Sequence, residues 1–333
     1  MNTNVRRSVF VSTMPFGFHD RAPIDWLAET GWDVRFNDTG RKLKPEEVAE
    51  YARDCDGIIA GTEDLSPLLD RNPKLQIIAR VGVGLDSVPL RRCRERGIAV
   101  TYTPDAVTPA VAEFAVGAML SVCRDIAGVD RKMRKGVWHR SQGLRLGTAR
   151  IGVIGFGRIG STVGRLVGGF RPAELLVSDK LGKHAEISAL VAQGVRARAA
   201  STDQIIDECD IITVHVPIDH STRGFLKEPQ LRRMKKGAYL INTSRGGLVD
   251  EDALFRVLKD GHLAGAAVDV FLHEPYGGPL CTLDNVLVTA HLGSCSVDCR
   301  ADMEREATED LIRHFRGEKL RSPVPAVEYE NQT

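Results

Sequence analysis

Apolar residues in this chain fall into short runs of three to five, separated by stretches where they recur at helical spacing. Ser8-Val-Phe-Val-Ser12 reads as a first strand, and Ala22 to Gly31 as a helix ended by its glycine. Trp32 to Phe36 alternates as a second strand, and Pro45 to Ala52 is a helix with proline in its first turn. Gly57 to Ala60, Leu75 to Ala79 and Ile98 to Tyr102 supply three more strands. Strands alternating with helices predict a parallel sheet, so the first part of the chain reads as a small α/β domain of flavodoxin type.

Thr103-Pro104-Asp105 interrupts that rhythm. A long apolar helix is expected from about Pro109 to Ile126, then a second helical stretch ending at Gly136. Ile151 to Ile154, Leu175 to Ser178, Ile211 to Val214, Ala238 to Ile241, Gly265 to Val268 and Val286 to Thr289 then give six strands, a complete dinucleotide-binding sheet. A last helix from about Asp298 to Arg316 ends at Gly317 and is expected to pack back on the first domain. Ser322-Pro-Val-Pro325 then leads to a polar tail. The expected fold class is α/β, with two Rossmann-like or flavodoxin-like domains built on parallel sheets. Residues 1–104 plus 296–333 would form the substrate domain and 105–295 the cofactor domain.

The first strand of the second domain runs into Gly155-Phe-Gly-Arg-Ile-Gly160, a G-x-G-x-x-G turn, and Ile159, Val163 and Val167 then mark one helix face. Alone, such a turn is often only a tight corner of an α/β protein. Strand, glycine turn and helix together read as a dinucleotide-binding fingerprint. Gly155 permits the turn, Gly157 lets backbone approach a pyrophosphate, and Gly160 lets helix and strand pack closely. Asp179 ends the next strand, 19 residues after Gly160, where a carboxylate accepts hydrogen bonds from the adenosine ribose and repels a 2′-phosphate. NAD is therefore the expected cofactor, although Lys180 and Lys183 nearby leave NADP open.

Composition narrows the field. At 333 residues two domains are natural, and 43% apolar with 27% charged residues is ordinary for a globular protein. A net charge of +1 gives no broad electrostatic case for nucleic acid or a membrane surface. The basic run Arg131-Lys-Met-Arg-Lys135 reads as a solvated helix end. No signal-peptide core follows Arg6 and Arg7, and no apolar run approaches the roughly 20 residues that span a bilayer. Seven scattered cysteines fit reduced thiols in the cytoplasm. Cys295 and Cys299 are spaced like two ligands on a helix, but no second Cys/His pair matches them. They read as small buried residues, and no metal site is expected.

Three polar residues follow strands of the second sheet: Arg245, Glu274 and His291. Each has a bland reading, as a surface arginine, a capping glutamate or a satisfied core histidine. Together on one sheet edge they compose a catalytic set. The guanidinium offers a two-pronged contact for a ketoacid carboxylate and carbonyl. The imidazole exchanges a proton near neutral pH, and a carboxylate against it orients the ring and stabilises its charged form.

These residues lie in longer motifs. In order they are Arg80-Val-Gly-Val-Gly-Leu-Asp86, Thr108-Pro-Ala-Val-Ala-Glu113, Gly155 to Gly160, Asp179 and His215-Val-Pro217. Ile241-Asn-Thr-Ser-Arg-Gly-Gly-Leu-Val-Asp250, Ala267-Val-Asp-Val-Phe271 with Glu274-Pro275, and His291-Leu-Gly293 complete the series. Over nearly its whole length the chain resembles the D-isomer-specific 2-hydroxyacid dehydrogenases, in particular the phosphoglycerate dehydrogenase-like branch. The resemblance implies that Arg245 binds substrate and polarises its carbonyl, and that Glu274 and His291 form the acid/base pair. It puts Asp269 on the nicotinamide carboxamide, and His215, Val216, Pro217 and Thr222 on the adenosine side. Arg158, Ile159, Thr243, Ser244 and Gly293 join the cofactor contacts. Backbone amides around Val83 and Gly84 would hold the substrate carboxylate, which puts the active site in the cleft between the domains. The implied protein is a cytoplasmic homodimer joined through the helix and arm of residues 105–150, acting on a small acid of phosphoglycerate or hydroxypyruvate/glyoxylate type. Two alternatives stand beside it: a phosphite- or phosphonate-directed dehydrogenase of the same fold, and an NADH-sensing corepressor-like binding protein.

Departures from the family pattern bear on the substrate. Gly61 stands where phosphoglycerate dehydrogenases commonly carry arginine, and Val107 where asparagine is usual. Both weaken 3-phosphoglycerate as substrate, although Arg140 could reach a phosphate across a dimer. Ala290 replaces the usual proline before the histidine, and Thr148-Ala149 the usual Gly-Lys. The chain ends at 333 with no room for the serine-sensing domains of some relatives, so feedback inhibition by that route is not expected. The substrate's side chain is expected to be read near Met14 to Phe18 and Gly61 to Glu63.

Overall fold

Parallel strands buried on both faces must be apolar throughout, and the Ile- and Val-rich runs of this chain meet that demand. The structure, a computed structural model, describes residues 6–332. The chain begins with β1 (Ser8–Val11), α1 (Ala22–Glu29), β2 (Asp33–Phe36), α2 (Pro45–Tyr51), β3 (Gly57–Ala60), α3 (Ser66–Arg71), β4 (Ile77–Arg80), α4 (Leu90–Glu95) and β5 (Ala99–Thr101). The sheet is parallel with order β2-β1-β3-β4-β5, the flavodoxin arrangement. Val48, Ile58, Leu65, Leu68, Ile78 and Val100 lie in its core.

Next come α5 (Pro104–Cys123) and α6 (Ile126–Met133). The long helix starts five residues before the expected Pro109, which lies inside it. It ends at Cys123 because Asp125 turns into the left-handed region, with φ of 51°. With 20 residues and a mean hydropathy of 1.7, α5 has the length and composition of a membrane span, contrary to the sequence expectation. Its burial gives it another role: Ala112, Ala115, Met119 and Cys123 pack against Ile151 and Val153 in a hydrophobic core.

The second sheet is built from β6 (Arg150–Ile154), α7 (Arg158–Gly168), β7 (Glu174–Ser178), α8 (His184–Ala192), β8 (Ala197–Ala199), α9 (Thr202–Glu208), β9 (Ile211–Val214), α10 (Glu228–Arg233), β10 (Tyr239–Asn242), α11 (Glu251–Lys259), β11 (Gly265–Val268) and β12 (Val286–Val288). It has seven strands, not six, in the order β12-β11-β10-β9-β6-β7-β8. The extra strand, β8, is a three-residue edge strand whose residues are all partly or fully exposed, so it lacks an apolar run. Elsewhere neighbouring residues serve opposite faces: Leu240 enters one core and Ile241 the other.

α12 (Val297–Arg316) packs on α1, β3 and β4, and Gly317 caps it at φ 70°. The expected polar tail is instead anchored. Val324 is buried and bonds Val100 O at 2.9 Å, and α13 (Ala326–Asn331) packs on α4. Contacts divide the chain into one compact unit of residues up to Val107 plus those from Ser294, and a second of Thr108–Gly293.

Candidate active site

In the second unit the turn between β6 and α7 is set by its glycines. Gly155 has φ of 89°, and a Cβ there would lie 2.6 Å from the His215 carbonyl. A Cβ on Gly160 would lie 1.9 Å from Gly155 O. A Cβ on Gly157 would meet no described protein atom within 4 Å, so packing inside the chain does not explain this glycine. No side chain caps α7, and its first intrahelical bond runs from Ser161 N to Gly157 O at 2.9 Å. Backbone amides ahead of that bond make a helix start suited to an anion, as a pyrophosphate would need. Arg158 and Ile159 lie in this first turn.

Asp179 closes the turn. Its Oδ2 accepts from Phe156 N at 2.6 Å and its Oδ1 from Leu181 N at 2.8 Å. Each carboxylate oxygen keeps a second lone pair, enough for ribose hydroxyls. Lys180 points to Ser221 Oγ at 2.8 Å and to Asp219 at 3.4 Å, and Lys183 pairs with Glu186 at 3.5 Å. On the other side of the turn, His215 N donates to Ile154 O at 2.7 Å and its Nε2 lies 2.9 Å from Thr213 Oγ1. Burial pushes the His215 imidazole down to about 4, so the ring is neutral at physiological pH. Val216 O accepts from Ser244 Oγ at 2.8 Å, and Pro217 O from Thr222 Oγ1 at 2.7 Å. Thr243 is buried, and its hydroxyl has no hydrogen-bond partner among the described residues, so a polar group of a bound molecule would relieve it.

Arg245, Glu274 and His291 all follow strands at one edge of the second sheet. Asn242 Nδ2 donates to Arg245 O at 3.0 Å, and Arg245 Nη1 donates to Ser244 O at 2.7 Å. Gly246 lets this loop meet its neighbour, since a Cβ there would lie 2.0 Å from Phe271 C and O. Glu274 Oε1 accepts from Phe271 N at 3.0 Å, and its Oε2 lies 2.9 Å from His291 Nδ1. His291 has φ of 56°, uncommon outside glycine and a sign of a backbone held by its surroundings.

Asp269 supplies that hold. It is 1% exposed, and its Oδ1 accepts from Thr289 Oγ1 at 2.5 Å and from Leu292 N at 2.7 Å. Its Oδ2 accepts from Gly293 N at 2.9 Å, and its backbone oxygen from His291 N at 2.8 Å. Most of the carboxylate's acceptor capacity is thus spent on the loop that carries His291, which leaves one lone pair for a carboxamide. The resemblance alone had not pointed to this fastening role.

In the first unit, Val83 and Gly84 lie in the loop after β4. Arg80 shapes it: its Nε donates to Gly84 O at 3.1 Å and its Nη1 to Val81 O. Gly82 N donates to Thr103 Oγ1 at 2.8 Å. Sequence reasoning gave Arg80 no role, because an arginine ending a buried strand carries no signal for a contact with the next four residues. Cys295, expected to be buried, is exposed just before α12, while Cys299 is buried on it.

Glycine turn, acidic strand end and the arginine, glutamate and histidine beyond the later strands define a dinucleotide-dependent oxidoreductase. The comparisons make this specific. Residues 116–293 match the model of the D-isomer specific 2-hydroxyacid dehydrogenase NAD binding domain. A glyoxylate reductase of Thermofilum pendens is 35% identical over 283 residues, 82% of each chain. A D-3-phosphoglycerate dehydrogenase of Methanocaldococcus jannaschii is 34% identical over 288 residues, covering 85% of this chain and 54% of that one. The NADPH-dependent glyoxylate/hydroxypyruvate reductase of Sinorhizobium meliloti, solved with NADP and malonate, superposes with a TM-score of 0.82 at 28% identity over 96% of this chain and 97% of that one. The chain belongs to the D-isomer specific 2-hydroxyacid dehydrogenase family, and it is an NAD-dependent oxidoreductase acting on a CH–OH group.

Proposed function

We propose that this protein reduces a small, unphosphorylated 2-ketoacid of the glyoxylate or hydroxypyruvate type to its D-2-hydroxyacid, and catalyses the reverse oxidation. The observation that carries this reading is the Glu274–His291 pair at 2.9 Å on a loop fastened by Asp269. When bound, the dinucleotide supplies hydride exchange with C2 of the acid. With Nδ1 turned to Glu274, Nε2 of His291 is the nitrogen that gives the substrate oxygen its proton on reduction and takes it back on oxidation. Arg245 holds the carboxylate and carbonyl through its fork of donors and offsets charge that develops on the oxygen. Amides around Val83 and Gly84 hold the carboxylate from their own loop. The fit to the dinucleotide rests on Gly157, the uncapped start of α7 and the buried Thr243 hydroxyl.

Asp179, together with Lys180 already directed to Asp219 and Ser221, favours NADH over NADPH. We also infer a homodimer through residues 105–150, because exposed apolar side chains gather there at Ile126, Met133, Val137 and Trp138. The test is NADH absorbance during incubation with a panel of 2-ketoacids, with phosphite and NAD as a control. NADH consumption with glyoxylate or hydroxypyruvate supports the reading. NADH binding without turnover of any 2-ketoacid overturns it.

A further inference from the structure

The loop from β4 to α4 carries two backbone amides with nothing to bond. Val83 and Gly84 are partly exposed, and among the described residues no acceptor meets their N–H groups. On the side of β4 the loop is held by its neighbours. Arg80 Nε donates to Gly84 O at 3.1 Å, Gly82 N donates to Thr103 Oγ1 at 2.8 Å, and Thr103 N donates to Gly82 O at 3.0 Å. On the side of α4 the main chain supplies less. Val88 N donates to Leu85 O at 3.0 Å, Leu90 N to Val88 O at 2.8 Å and Leu65 N to Ser87 O at 2.9 Å, while Pro89 has no N–H to add.

A side chain 242 residues beyond Leu90 completes that side. Gln332 Oε1 accepts from Leu90 N at 2.7 Å, and its Nε2 donates to Leu85 O at 2.9 Å and to Val88 O at 2.8 Å. Both amide hydrogens and one oxygen lone pair are thus engaged by residues 85–90. The partners also fix which end of the amide is nitrogen, since two are carbonyls and one is an N–H. The helix α13 brings Gln332 there. It packs on α4, the Arg94 guanidinium lies 4.6 Å from the centre of the Tyr329 ring, and Arg94 donates to Ala326 O at 3.1 Å. Gln332 N then closes the helix end on Glu328 O at 3.3 Å. Two consecutive carbonyls of the loop, Gly84 O and Leu85 O, are therefore held by side chains, the first by Arg80 and the second by Gln332. That restrains Gly84, which as a glycine would otherwise be among the freest residues of the loop.

We propose that Gln332 is a positioning residue for the reaction: by bridging Leu85, Val88 and Leu90 it holds the loop so that the amides of Val83 and Gly84 are set for the substrate's carboxylate before it binds. The proposal rests on the reading that these two amides hold that carboxylate. A loop left free to move has to be ordered at each binding event, and the cost appears as weaker binding. The carboxylate is not changed by hydride transfer, so its anchor acts alike on the ground state and the transition state. Loss of the anchor's order therefore shows in KM and not in kcat.

The experiment is steady-state kinetics with saturating NADH and either glyoxylate or hydroxypyruvate, in the natural protein and in the Gln332→Ala and Gln332→Glu variants. Each variant is compared with the natural protein at the same pH, at about pH 8 and about pH 5. Gln332→Ala should raise the KM of the acid about tenfold, keep kcat within about twofold and leave the NADH dissociation constant unchanged. Gln332→Glu keeps an acceptor for Leu90 N but at the higher pH sets a carboxylate against the Leu85 and Val88 carbonyls, so its KM should rise at least as much. At the lower pH that carboxyl, facing two carbonyls, takes a proton and donates to one of them. Its KM relative to the natural protein should then fall back about threefold, while that of Gln332→Ala stays where it was. A glutamine that merely docked α13 would, when lost, lower the melting temperature and the fraction of active protein. That lowers kcat and leaves KM within about twofold of the natural value, which overturns the proposal. If Gln332→Ala does not fold, the glutamate variant decides the matter: a relative KM that does not move with pH overturns the proposal. Absence of turnover by the natural protein with both acids overturns the ketoacid reading and this role with it, whereas turnover with unchanged KM in the variants overturns the role of Gln332 alone.

Discussion

Both units end a parallel sheet in polar residues, and the two edges differ in how far those residues satisfy one another. At the edge of the second sheet, Asp269 accepts three side-chain-directed bonds from residues 289–293, and Glu274 accepts from Phe271 N while facing His291. At the edge of the first sheet, the one hydrogen bond to Glu63 among the described residues is the 3.5 Å contact from Ser12 Oγ. On the proposed reading the Glu274–His291 pair moves a proton, and such a pair must be held in place before the substrate arrives, as these bonds hold it.

The largest effect should come from Arg245→Ala. Loss of the forked cation should lower kcat/KM for a 2-ketoacid roughly a thousandfold, with the NADH dissociation constant changed by no more than a few fold. Asp269→Asn comes next. The amide NH2 replaces one carboxylate oxygen and so turns a donor toward the N–H of either Leu292 or Gly293, so the His291 loop should shift and kcat should fall about a hundredfold. An equal loss in NADH affinity would instead make Asp269 chiefly a cofactor contact. Gly160→Ala sharpens the same edge from the cofactor side. Its Cβ would collide with Gly155 O, costing about 1–3 kcal/mol, and both melting temperature and NADH affinity should fall.

Smaller effects separate the units by pH, and they have opposite signs. In the second unit, burial holds His215 at about 4 against an ordinary value of 6.5. The unfolded chain then binds more protons between those values, so this contribution is constant above about pH 6.5 and stability falls as pH drops towards 4. Since His215 as a residue is only partly buried, the loss should be about 2 kcal/mol, and His215→Gln should flatten it in thermal melts across that range. In the first unit, burial, then Asp105, Asp302 and Asp310, push the Glu306 carboxyl up to about 7, opposed by Arg321. Its folded value is raised, so its contribution is fully present below about pH 4.5 and is lost as pH rises through 7. Glu306→Gln should therefore raise the melting temperature at pH 8 relative to the natural protein by a few degrees, and hardly change it at pH 4.5.

The central strands of both sheets are legible because burial on two faces demands unbroken apolar runs, as in Gly57–Ala60 and Ile211–Val214. β8 at the sheet edge has no such demand and gave no pattern. The sequence pattern starts α5 at about Pro109 because Thr103-Pro104-Asp105 reads as a break, whereas Pro104 is the first residue of the helix. Arg245, Glu274 and His291 are readable from their motifs and from the strands they follow. The geometry around them is not. Gly61 reads as a lost arginine until Glu63 is seen folded over it, and Arg300 meets Thr13 across 287 residues of chain. Likewise the fastening of His291 by Asp269 depends on the register of β11 beside β12, which pairs Val268 with Val288.

The most direct measurement is single-turnover oxidation of prebound NADH by hydroxypyruvate in the natural protein and in His291→Asn. Asparagine tolerates the φ of 56° at this position, so the loop should survive while the proton donor is lost. The rate should fall by about a hundredfold to ten-thousandfold with NADH affinity unchanged. A rate within about twofold of the natural protein's would contradict His291 as the acid that completes reduction.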